Sequence, residues 1–507
     1  MSVRLSEQDV QSIIQGVLKN IEQNLNVSGR QPTARQPVHA AAPVAQAGLS
    51  TAPAASSLRG EYGVFERAED AISAAAVAYD QLSREAKQAD RERFIQAIRD
   101  ITLEHKQSLA QMIWEETGLG RAADKVAKLE LTALRTPGTE QLRPEAWTGD
   151  NGMTVEEYSA YGVVGAVTPV TNPVETVINN SIGLIAAGNT VVFNVHPSSK
   201  KCCAHAVQLL NKAIAAAGGP LNMITMVKEP SKQSLDAIIE SADVQLLLGT
   251  GGPALVKVLL SSGKKAIGAG AGNPPVIVDE TADMERAAKE IIAGASFENN
   301  ILCIAEKEVF VVNSAADDLL FHMLNNGAYR LDQRQLEQVM SFALELNTKQ
   351  VAGGCSLDTK REYHTAKEWI GKDASLFLEK IGVRGRSDVK LLICEVDFDH
   401  PFVQLEQMMP VLPIVRVNDL DEAIELAVKA EHGNRHTALM HSTNVNHLRR
   451  FADAVGTTIF VKNASSLAGV GFGGEGYATM TIAGPTGEGL TSAKTFTRKL
   501  RRVWAEG

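Results

Sequence analysis

Short β-rich runs alternate with helix-like stretches between Met153 and Ala271, and this alternation constrains the fold more than any other feature. The β-rich runs are YGVVGAVTPV, TVVFNV, NMITMVK, DVQLLLGT and KKAIGAGA. Between them lie PVETVINNSIGLIAAG, KKCCAHAVQLLNKAIAAAG, KQSLDAIIES and PALVKVLLSSG. Strands that alternate with helices form parallel βαβ units, because the helix returns the chain to the starting edge of the sheet. The pattern therefore predicts an open, doubly wound α/β sheet.

A second alternating block runs from Pro275 to Lys462. Its β-rich runs are PPVIVD, EVFVVN, VKLLICEV, LPIVRV, HTALMHS and TTIFVKN. Residues Val64 to Leu134 precede both blocks and are alanine-rich and amphipathic, which is typical of helices. The tail from Thr479 to Val503 alternates only weakly and favours an arm over a core element. Two α/β domains and an arm are thus expected.

Composition excludes several classes of function. The chain has 507 residues, enough for two or three domains, and a net charge of −9. No Lys/Arg cluster is interleaved with aromatic residues, so nucleic acid and anionic membrane are not expected partners. No apolar run is long enough to span a membrane, and no cleavable secretory signal precedes the first helical pattern. His432 and His436 have a metal-like spacing, but Gly433 and Asn434 between them favour a loop over a zinc site.

The N-terminus carries an amphipathic segment on a long linker. Residues 6–25 repeat apolar side chains at intervals of three and four, and Ser6 with Asp9 offers a capping-box start. Residues 27–58 are rich in Ala, Pro, Gln, Ser and Gly, and as a coil would separate their ends by about 30 Å. A helix tethered so far away favours an external partner over folding back onto its own domain.

One cysteine has the setting of a nucleophile. Cys303 lies in FENNILCIAEKEV, after the amphipathic stretch Met284 to Ala295 and before the apolar strand Lys307 to Val312. A thiol between a helix and a strand can meet a substrate in a cleft, although most cytosolic cysteines are buried core thiols. The five cysteines form no regular framework, which suits a reducing cytosol. They are Cys202, Cys203, Cys303, Cys355 and Cys394.

Three glycine-rich runs compete as dinucleotide sites. GVGFGGEG contains a formal G-x-G-x-x-G beginning at Gly469, but no helical pattern follows it. LLLGTGGPALVKVLL places Gly249, Gly251 and Gly252 between a strand and a helix, whose N-terminal amides can face a pyrophosphate. IGAGAGNPPV joins the two blocks and could bring backbone close to a ligand.

In chain order these segments resemble the aldehyde dehydrogenase superfamily over roughly residues 60–507. TPVTNP resembles the segment with the family's oxyanion-hole asparagine, here Asn172. VFNVHPSSK resembles the adenosine-side strand end, usually Lys-Pro-Ser, so His196 replaces the lysine. GTGG resembles the phosphate turn, Cys303 matches the nucleophile, and EQMMPVLPIVRV resembles Glu-x-x-x-Pro-Val, which implies that Glu406 binds the nicotinamide ribose. The implied cofactor-binding residues are Thr168, Pro169, His196, Pro197, Ser198, Gly249, Thr250, Gly251, Gly252, Gly270 and Glu406.

One departure from the family pattern is informative. Hydrolytic members carry Glu-Leu-Gly-Gly-Lys, whose glutamate activates water, whereas this chain has Ala269-Gly270-Ala271-Gly272-Asn273. A general base typically contributes about 10²–10⁴-fold, so water is a poor deacylating nucleophile here. IGAGAGNPPVIVDETAD together with ASFENNILC resembles the coenzyme A-acylating branch, especially acetaldehyde and propionaldehyde dehydrogenases of bacterial microcompartments. This implies oxidation of a short aldehyde to acyl-CoA, with NAD and coenzyme A. The alternatives are a hydrolytic aldehyde dehydrogenase with another base, and a non-catalytic shell-associated protein.

The resemblance also implies an organisation and a location. Residues 61–270 would bind NAD, joined by a returning segment of about 440–480, and residues 271–440 would form the catalytic domain. Residues 479–507, with a strand near 151–160, would form an arm that makes a homodimer or homotetramer. Residues 1–25, followed by a linker over 26–60, resemble encapsulation peptides that bind shell or core proteins. The expected location is cytoplasmic, in a microcompartment lumen.

Overall fold

The computed structural model describes residues 60–346 and 363–506. In this part of the chain the α-helices are α1 Ala68–Glu85, α2 Gln88–Thr117, α3 Ala122–Arg135, α4 Pro173–Ala186, α5 Lys200–Ala216, α6 Lys232–Glu240, α7 Pro253–Leu260, α8 Met284–Ser296, α9 Asn313–Asn325, α10 Gln333–Ala343, α11 Ala374–Lys380, α12 Pro401–Gln404, α13 Leu420–Ala430 and α14 Val445–Val455. None of the described helices has both the length and the apolar character needed to cross a membrane.

The described strands form two large sheets and three small ones. They are β1 Val64–Phe65, β2 Glu145–Gly149, β3 Gly152–Ala160, β4 Val163–Val167, β5 Thr190–Asn194, β6 Ile224–Val227, β7 Val244–Thr250, β8 Lys265–Ala269, β9 Pro275–Val278, β10 Glu308–Val312, β11 Ala328–Arg330, β12 Leu344–Leu346, β13 Tyr363–Thr365, β14 Leu391–Glu395, β15 Val411–Val417, β16 Thr437–His441, β17 Ile459–Lys462, β18 Ile482–Ala483, β19 Gly489–Leu490 and β20 Thr497–Trp504.

The first large sheet is parallel and contains all five strands predicted from the first alternating block. Its order is β1-β6-β5-β4-β7-β8. Successive residues of β4 face opposite layers: Val163 belongs to the buried cluster that contains Ile72 of α1, and Val164 belongs to the cluster that contains Val177 of α4. One prediction is wrong in detail, because the helical pattern begins at Ala68 and not at Val64. The two residues of β1 are too few to show a period of two.

The second large sheet is also parallel, with the order β11-β14-β15-β10-β9-β16-β17. It contains the six strands predicted between Pro275 and Lys462, and β11 is an additional edge strand. Helix α8 covers it through Ile291, which joins Val309 and Ile414 in one apolar cluster. This confirms the predicted α/β class with doubly wound parallel sheets.

Residues of about 440–480 were predicted to return to the domain formed by residues 61–270. Their strands do not join the sheet of that domain. β16 pairs with β9, and β17 pairs with β16, so both belong to the second sheet. The physical reason is packing, since Ile459 and Val461 of β17 are buried in the cluster beneath that sheet. The chain meets α4 only afterwards, where the Met480 N–H donates to Asn179 Oδ1 at 3.0 Å.

The C-terminal tail forms an antiparallel sheet with an earlier segment. β20 pairs along its whole length with β3, and β3 pairs with β2. The strand expected near 151–160 is therefore β3. Trp147, Val503 and Trp504 on this small sheet are about half exposed or more. A role of the sheet in forming an oligomer stays a prediction.

Candidate active site

Ten of the residues predicted to bind a cofactor lie at one edge of the first sheet. Thr168 and Pro169 follow β4, and His196, Pro197 and Ser198 follow β5. Gly249 and Thr250 end β7, Gly251 and Gly252 lead into α7, and Gly270 follows β8. All four strands are parallel, so their carboxyl ends share an edge, which is where open α/β sheets bind ligands.

The His196 side chain, which stands where the family usually has lysine, makes a hydrogen bond to the backbone of its own turn. Its Nδ1 accepts a hydrogen bond at 3.2 Å from the Ser198 N–H, so the imidazole begins the short 3-10 turn Pro197–Ser199. Burial lowers the pKa of His196, and the nearby positive charge of Lys367 lowers it further. A neutral ring is therefore expected at this position near neutral pH.

Cys303 lies in the connection between α8 and β10, and its side chain is partly exposed. A glycine-rich connection passes directly against it: a Cβ added at Gly272 would lie 2.4 Å from the Cys303 carbonyl oxygen. The same Cβ would lie 3.0 Å from the buried ring of His436. Only glycine fits between these groups, so the departure from the family sequence at residues 269–273 lies beside the predicted nucleophile.

A left-handed turn precedes the cysteine. Glu298, Asn299 and Asn300 have φ angles of 48°, 55° and 68°. This conformation costs a non-glycine residue roughly 1–2 kcal/mol, so hydrogen bonds must hold it in place. The Asn299 amide donates to Gly371 O at 2.9 Å, and the Asn300 amide donates to Ala295 O at 2.8 Å. The turn thus fixes the path of the backbone into Cys303.

Lys307 holds the backbone of residues 300–302, just before Cys303, by hydrogen bonds. Its buried ammonium group donates to Asn300 O at 2.7 Å and to Leu302 O at 3.1 Å. Burial lowers the pKa of Lys307. Nearby acidic groups, of which Glu406 has the largest effect, partly offset this by raising the pKa. The ammonium group therefore adds positive charge close to the Cys303 sulfur.

Burial raises the pKa of Cys303 to about 12, and the negative charge of Glu406 adds to that rise. Lys307 and Lys128 act in the opposite direction. Glu406 lies half-buried in the loop between α12 and β15, close enough for its charge to act on Cys303. Its predicted role as the nicotinamide-ribose ligand stays a prediction. These surroundings favour the neutral thiol form of Cys303 at neutral pH.

Removing the Glu406 charge should make Cys303 easier to ionise. Glu406→Gln should lower the pKa of Cys303, and alkylation by iodoacetamide below that pKa should become about 3–10-fold faster. Peptide mass spectrometry of Cys303 at several pH values, without substrates, measures the rate. Glu395→Gln, at the end of β14, serves as the control. An unchanged or slower rate in Glu406→Gln would contradict this electrostatic assignment.

Asn172 is held in an unusual way at the start of α4. It occupies the N-cap position, yet its side chain makes no capping hydrogen bond. Its Oδ1 instead accepts a hydrogen bond of 2.6 Å from Lys128 Nζ, and its amide nitrogen makes only a long contact of 3.4 Å with Thr171 Oγ1 among the described residues. An amide held by its oxygen keeps N–H donors for a ligand, as an oxyanion site requires.

The sequence interpretation missed a set of buried ionic side chains beside Asn172, which we call the buried charge cluster. It consists of Lys125, Lys128, Glu175 and Glu298, all 1% exposed or less. Glu298 pairs with Lys128 and, at 2.8 Å, with Lys125, and Glu175 Oε1 lies 3.0 Å from Lys128 Nζ. Lys128 therefore connects Asn172 with the turn that precedes Cys303.

The other cysteines have no comparable setting. Cys202 and Cys203 lie inside α5, and Cys394 lies in β14, all buried at 1% exposure or less. Cys355 lies outside the described residues. Partial exposure, the left-handed turn and nearby charged groups come together only at Cys303 among the four described cysteines.

Sequence comparison places the chain in a known family. The model of the aldehyde dehydrogenase family matches residues 61–483. The chain belongs to the aldehyde dehydrogenase family. It is 46% identical over 444 residues to the acetaldehyde dehydrogenase (acetylating) EutE of Escherichia coli strain K12, a match that covers 87% of this chain and 92% of that protein.

Two solved structures of propionaldehyde dehydrogenases are similar to most of this chain. Rhodopseudomonas palustris propionaldehyde dehydrogenase, with bound CoA and an acylated cysteine, shares 47% identity and a TM-score of 0.83. The match covers 87% of this chain and 98% of that one. A propionaldehyde dehydrogenase from the fucose utilisation microcompartment of Clostridium phytofermentans shares 45% identity and a TM-score of 0.83, over 88% and 98% of the two chains. The predicted aldehyde dehydrogenase fold is thereby confirmed.

Proposed function

We propose that this chain oxidises a short aliphatic aldehyde of the acetaldehyde or propionaldehyde type to its acyl-CoA, through a thioester on Cys303. The observation that carries the proposal is the composition of the connection beside Cys303. Residues 270–273 hold no carboxylate, and Ala269 is buried at the end of β8 with its carbonyl accepting from the Gly251 N–H at 3.1 Å. A thioester formed there has no base at this position to direct water onto it.

The first sheet offers a fitting place for the dinucleotide. A cavity of about 430 Å³ lies beside α7 and is bordered by Pro253, Val256, Gly270 and Ala271. A Cβ added at Gly252 would meet nothing within 4 Å, so a ligand can approach the backbone at the amino end of α7. Bound NAD⁺ supplies the hydride acceptor. Glu406, close to Cys303, is the residue proposed to hold the nicotinamide ribose.

The first chemical step joins Cys303 to the aldehyde. The sulfur forms a bond to the carbonyl carbon, the thiol proton leaves to solvent, and the carbonyl oxygen becomes an oxyanion. The Asn172 amide and the Cys303 backbone N–H donate to that oxygen, and such a donor is typically worth about 3–4 kcal/mol. Hydride then leaves the substrate carbon, and the acyl group remains on Cys303 as a thioester.

The second half-reaction exchanges one thioester for another. The coenzyme A thiol loses its proton to solvent and attacks the acyl carbon, and the bond from that carbon to the Cys303 sulfur breaks. The released Cys303 sulfur takes up a proton, and acyl-CoA leaves. A thiol needs less base assistance than water, because it is appreciably ionised near neutral pH. The acidic residue nearest to Cys303 in the preceding sequence, Glu298, is paired with Lys125 and Lys128 and so cannot act as the missing base.

Turnover should depend on coenzyme A. With aldehyde and NAD⁺ alone we expect a burst of about one NADH per active site and then slow leakage. Adding coenzyme A should restore steady turnover with acyl-CoA as the product, measured by NADH absorbance and by chromatography of both products. Ala269→Glu adds a carboxylate side chain at the family position of the base and is the informative variant for hydrolysis of the thioester. In the parent enzyme, release of the free carboxylic acid at a comparable rate without coenzyme A would contradict the proposal.

The proposed cellular setting is the lumen of a bacterial microcompartment. Two observations support it: the related Clostridium phytofermentans enzyme comes from such a compartment, and residues 6–25 carry the apolar stripe described above. Residues 1–59 lie outside the described part of the chain. The stripe offers seven apolar side chains, and burying each would contribute on the order of 1.5–3 kcal/mol before ordering costs. They are Val10, Ile13, Ile14, Val17, Leu18, Ile21 and Leu25.

Residues 1–40 fused to a fluorescent protein should therefore collect in shells when expressed in shell-producing cells. Ile13→Glu with Leu18→Glu places charges in the proposed contact and should make the fluorescence diffuse. A matched control changes Ser12 and Gln23, which lie on the opposite face of the predicted helix from the stripe, to glutamate. Diffuse fluorescence from the unchanged fusion, or loss of catalysis when residues 1–25 are deleted from the enzyme, would contradict this role.

A further inference from the structure

Lys128 touches two parts of the site that come from distant regions of the chain. From α3, its ammonium group donates to Asn172 Oδ1 at the start of α4 and pairs with Glu298 in the left-handed turn before Cys303. It also lies 3.0 Å from Glu175, one turn further along α4. A single cation thus connects the amide donor to the loop that carries the nucleophile.

Asn172 binds Lys128 in place of the capping hydrogen bond that asparagine usually makes at the start of a helix. Asparagine is among the best N-cap residues, because its side-chain oxygen accepts a hydrogen bond from the first turn of the helix. In this protein that oxygen is used by Lys128, and no capping bond forms. Giving up a cap costs typically ~1 kcal/mol, and residues that break a local rule in this way are concentrated at functional sites.

We propose that Lys128 is the positioning residue of the oxyanion site: it fixes Asn172 Oδ1, so that the amide N–H faces the substrate oxygen. The inference rests on the proposed function, since it concerns the donor used in the thioester reaction. A cation on the amide oxygen also draws electron density from the amide nitrogen, which makes its N–H a stronger donor. Lys128 itself does not touch the substrate.

The buried charge cluster keeps Lys128 charged. Burial lowers the pKa of Lys128, but Glu175 and Glu298 more than offset this, and the net shift is upward. The cluster holds two lysines and two glutamates, so its formal charge balances within the protein interior. Lys125 belongs to the same cluster and the same helix, but the structure pairs it with Glu298 and not with Asn172. This difference provides a matched control.

The test is a double-mutant cycle on the complete enzyme. Lys128→Met should lower kcat by about 10–100-fold, with the KM for NAD⁺ changed by less than about threefold. In an Asn172→Ala background, Lys128→Met should lower kcat by less than about twofold further, because the donor that it positions is already absent. Lys125→Met should instead lower kcat by the same factor in both backgrounds.

A second variant separates positioning from folding. Lys128→Met alone leaves a buried carboxylate unpaired, whereas Lys128→Met combined with Glu175→Gln keeps the cluster balanced. If the single variant does not fold, the balanced variant takes its place in the cycle. If Lys128→Met lowered kcat by the same factor in the parent and in the Asn172→Ala background, the positioning role would be overturned and the proposed function would remain intact. A parent enzyme that forms no acyl-CoA at all would overturn both.

Discussion

Replacing Cys303 with alanine should abolish acyl-CoA formation, with a loss in kcat of at least about 10⁴-fold. Cys303 is the only cysteine among the described residues that is partly exposed, and without a thioester on its sulfur the acyl group cannot be passed to coenzyme A. The side chain is only partly buried, so removing its sulfur should leave the fold intact. NADH absorbance and chromatography of acyl-CoA measure activity, and circular dichroism measures folding.

Cys394→Ala is the matched control for that loss. Cys394 is also a thiol whose pKa burial raises to about 12, but it lies in β14, 1% exposed, within an apolar cluster. Its removal should cost about 1 kcal/mol in the free energy of unfolding and leave kcat unchanged. Turnover retained by Cys303→Ala, or lost by Cys394→Ala with the fold intact, would contradict the assignment of the nucleophile.

The second large effect should come from Asn172. Asn172→Ala should lower kcat by about 10²–10³-fold while the KM for NAD⁺ changes little, because the amide acts on negative charge that develops during the reaction. The steady-state constants for aldehyde, NAD⁺ and coenzyme A measure this division. A rise in the KM for NAD⁺ with kcat unchanged would show that the oxyanion role is wrong.

Asn179→Ala is a suitable control on the same helix. The Asn179 amide is also buried, but its partners are structural: it donates to Thr136 Oγ1 at 2.9 Å, and its oxygen accepts from the Met480 N–H. Losing these bonds should lower stability by about 1–3 kcal/mol and leave kcat close to that of the parent. Comparing the two variants separates a missing oxyanion donor from a weakened helix.

Much of the fold could be predicted because its strands are buried in parallel sheets and bounded by helices, which gives clear changes of period. β1 and β11 were missed because two and three residues cannot establish a pattern. The assignment of residues 440–480 was wrong for a different reason. Which sheet a strand joins is decided by distant partners, here β9 and β16, and the local sequence contains no information about them.

Part of the candidate site could likewise be predicted from the sequence, and part of it was missed. Cys303, Asn172 and Glu406 were predicted from their segments. In the structure the charges of Glu406, Lys307 and Lys128 act on Cys303, and Lys128 also binds Asn172. The buried charge cluster was missed because lysine and glutamate are expected at the surface. A signal was nevertheless present: Lys125 and Lys128 share with Leu129 and Thr132 the buried face of α3. A cation on the apolar stripe of a helix requires a buried partner.

The most direct test of the central claim is to observe the acyl group on Cys303. Parent enzyme mixed with aldehyde and NAD⁺, without coenzyme A, should gain about one acyl group per chain by intact mass. Peptide mapping should locate that group on Cys303. Adding coenzyme A should remove it and release an equal amount of acyl-CoA. An enzyme that gains no acyl group, or that loses it to carboxylate as fast without coenzyme A as with it, would contradict the account.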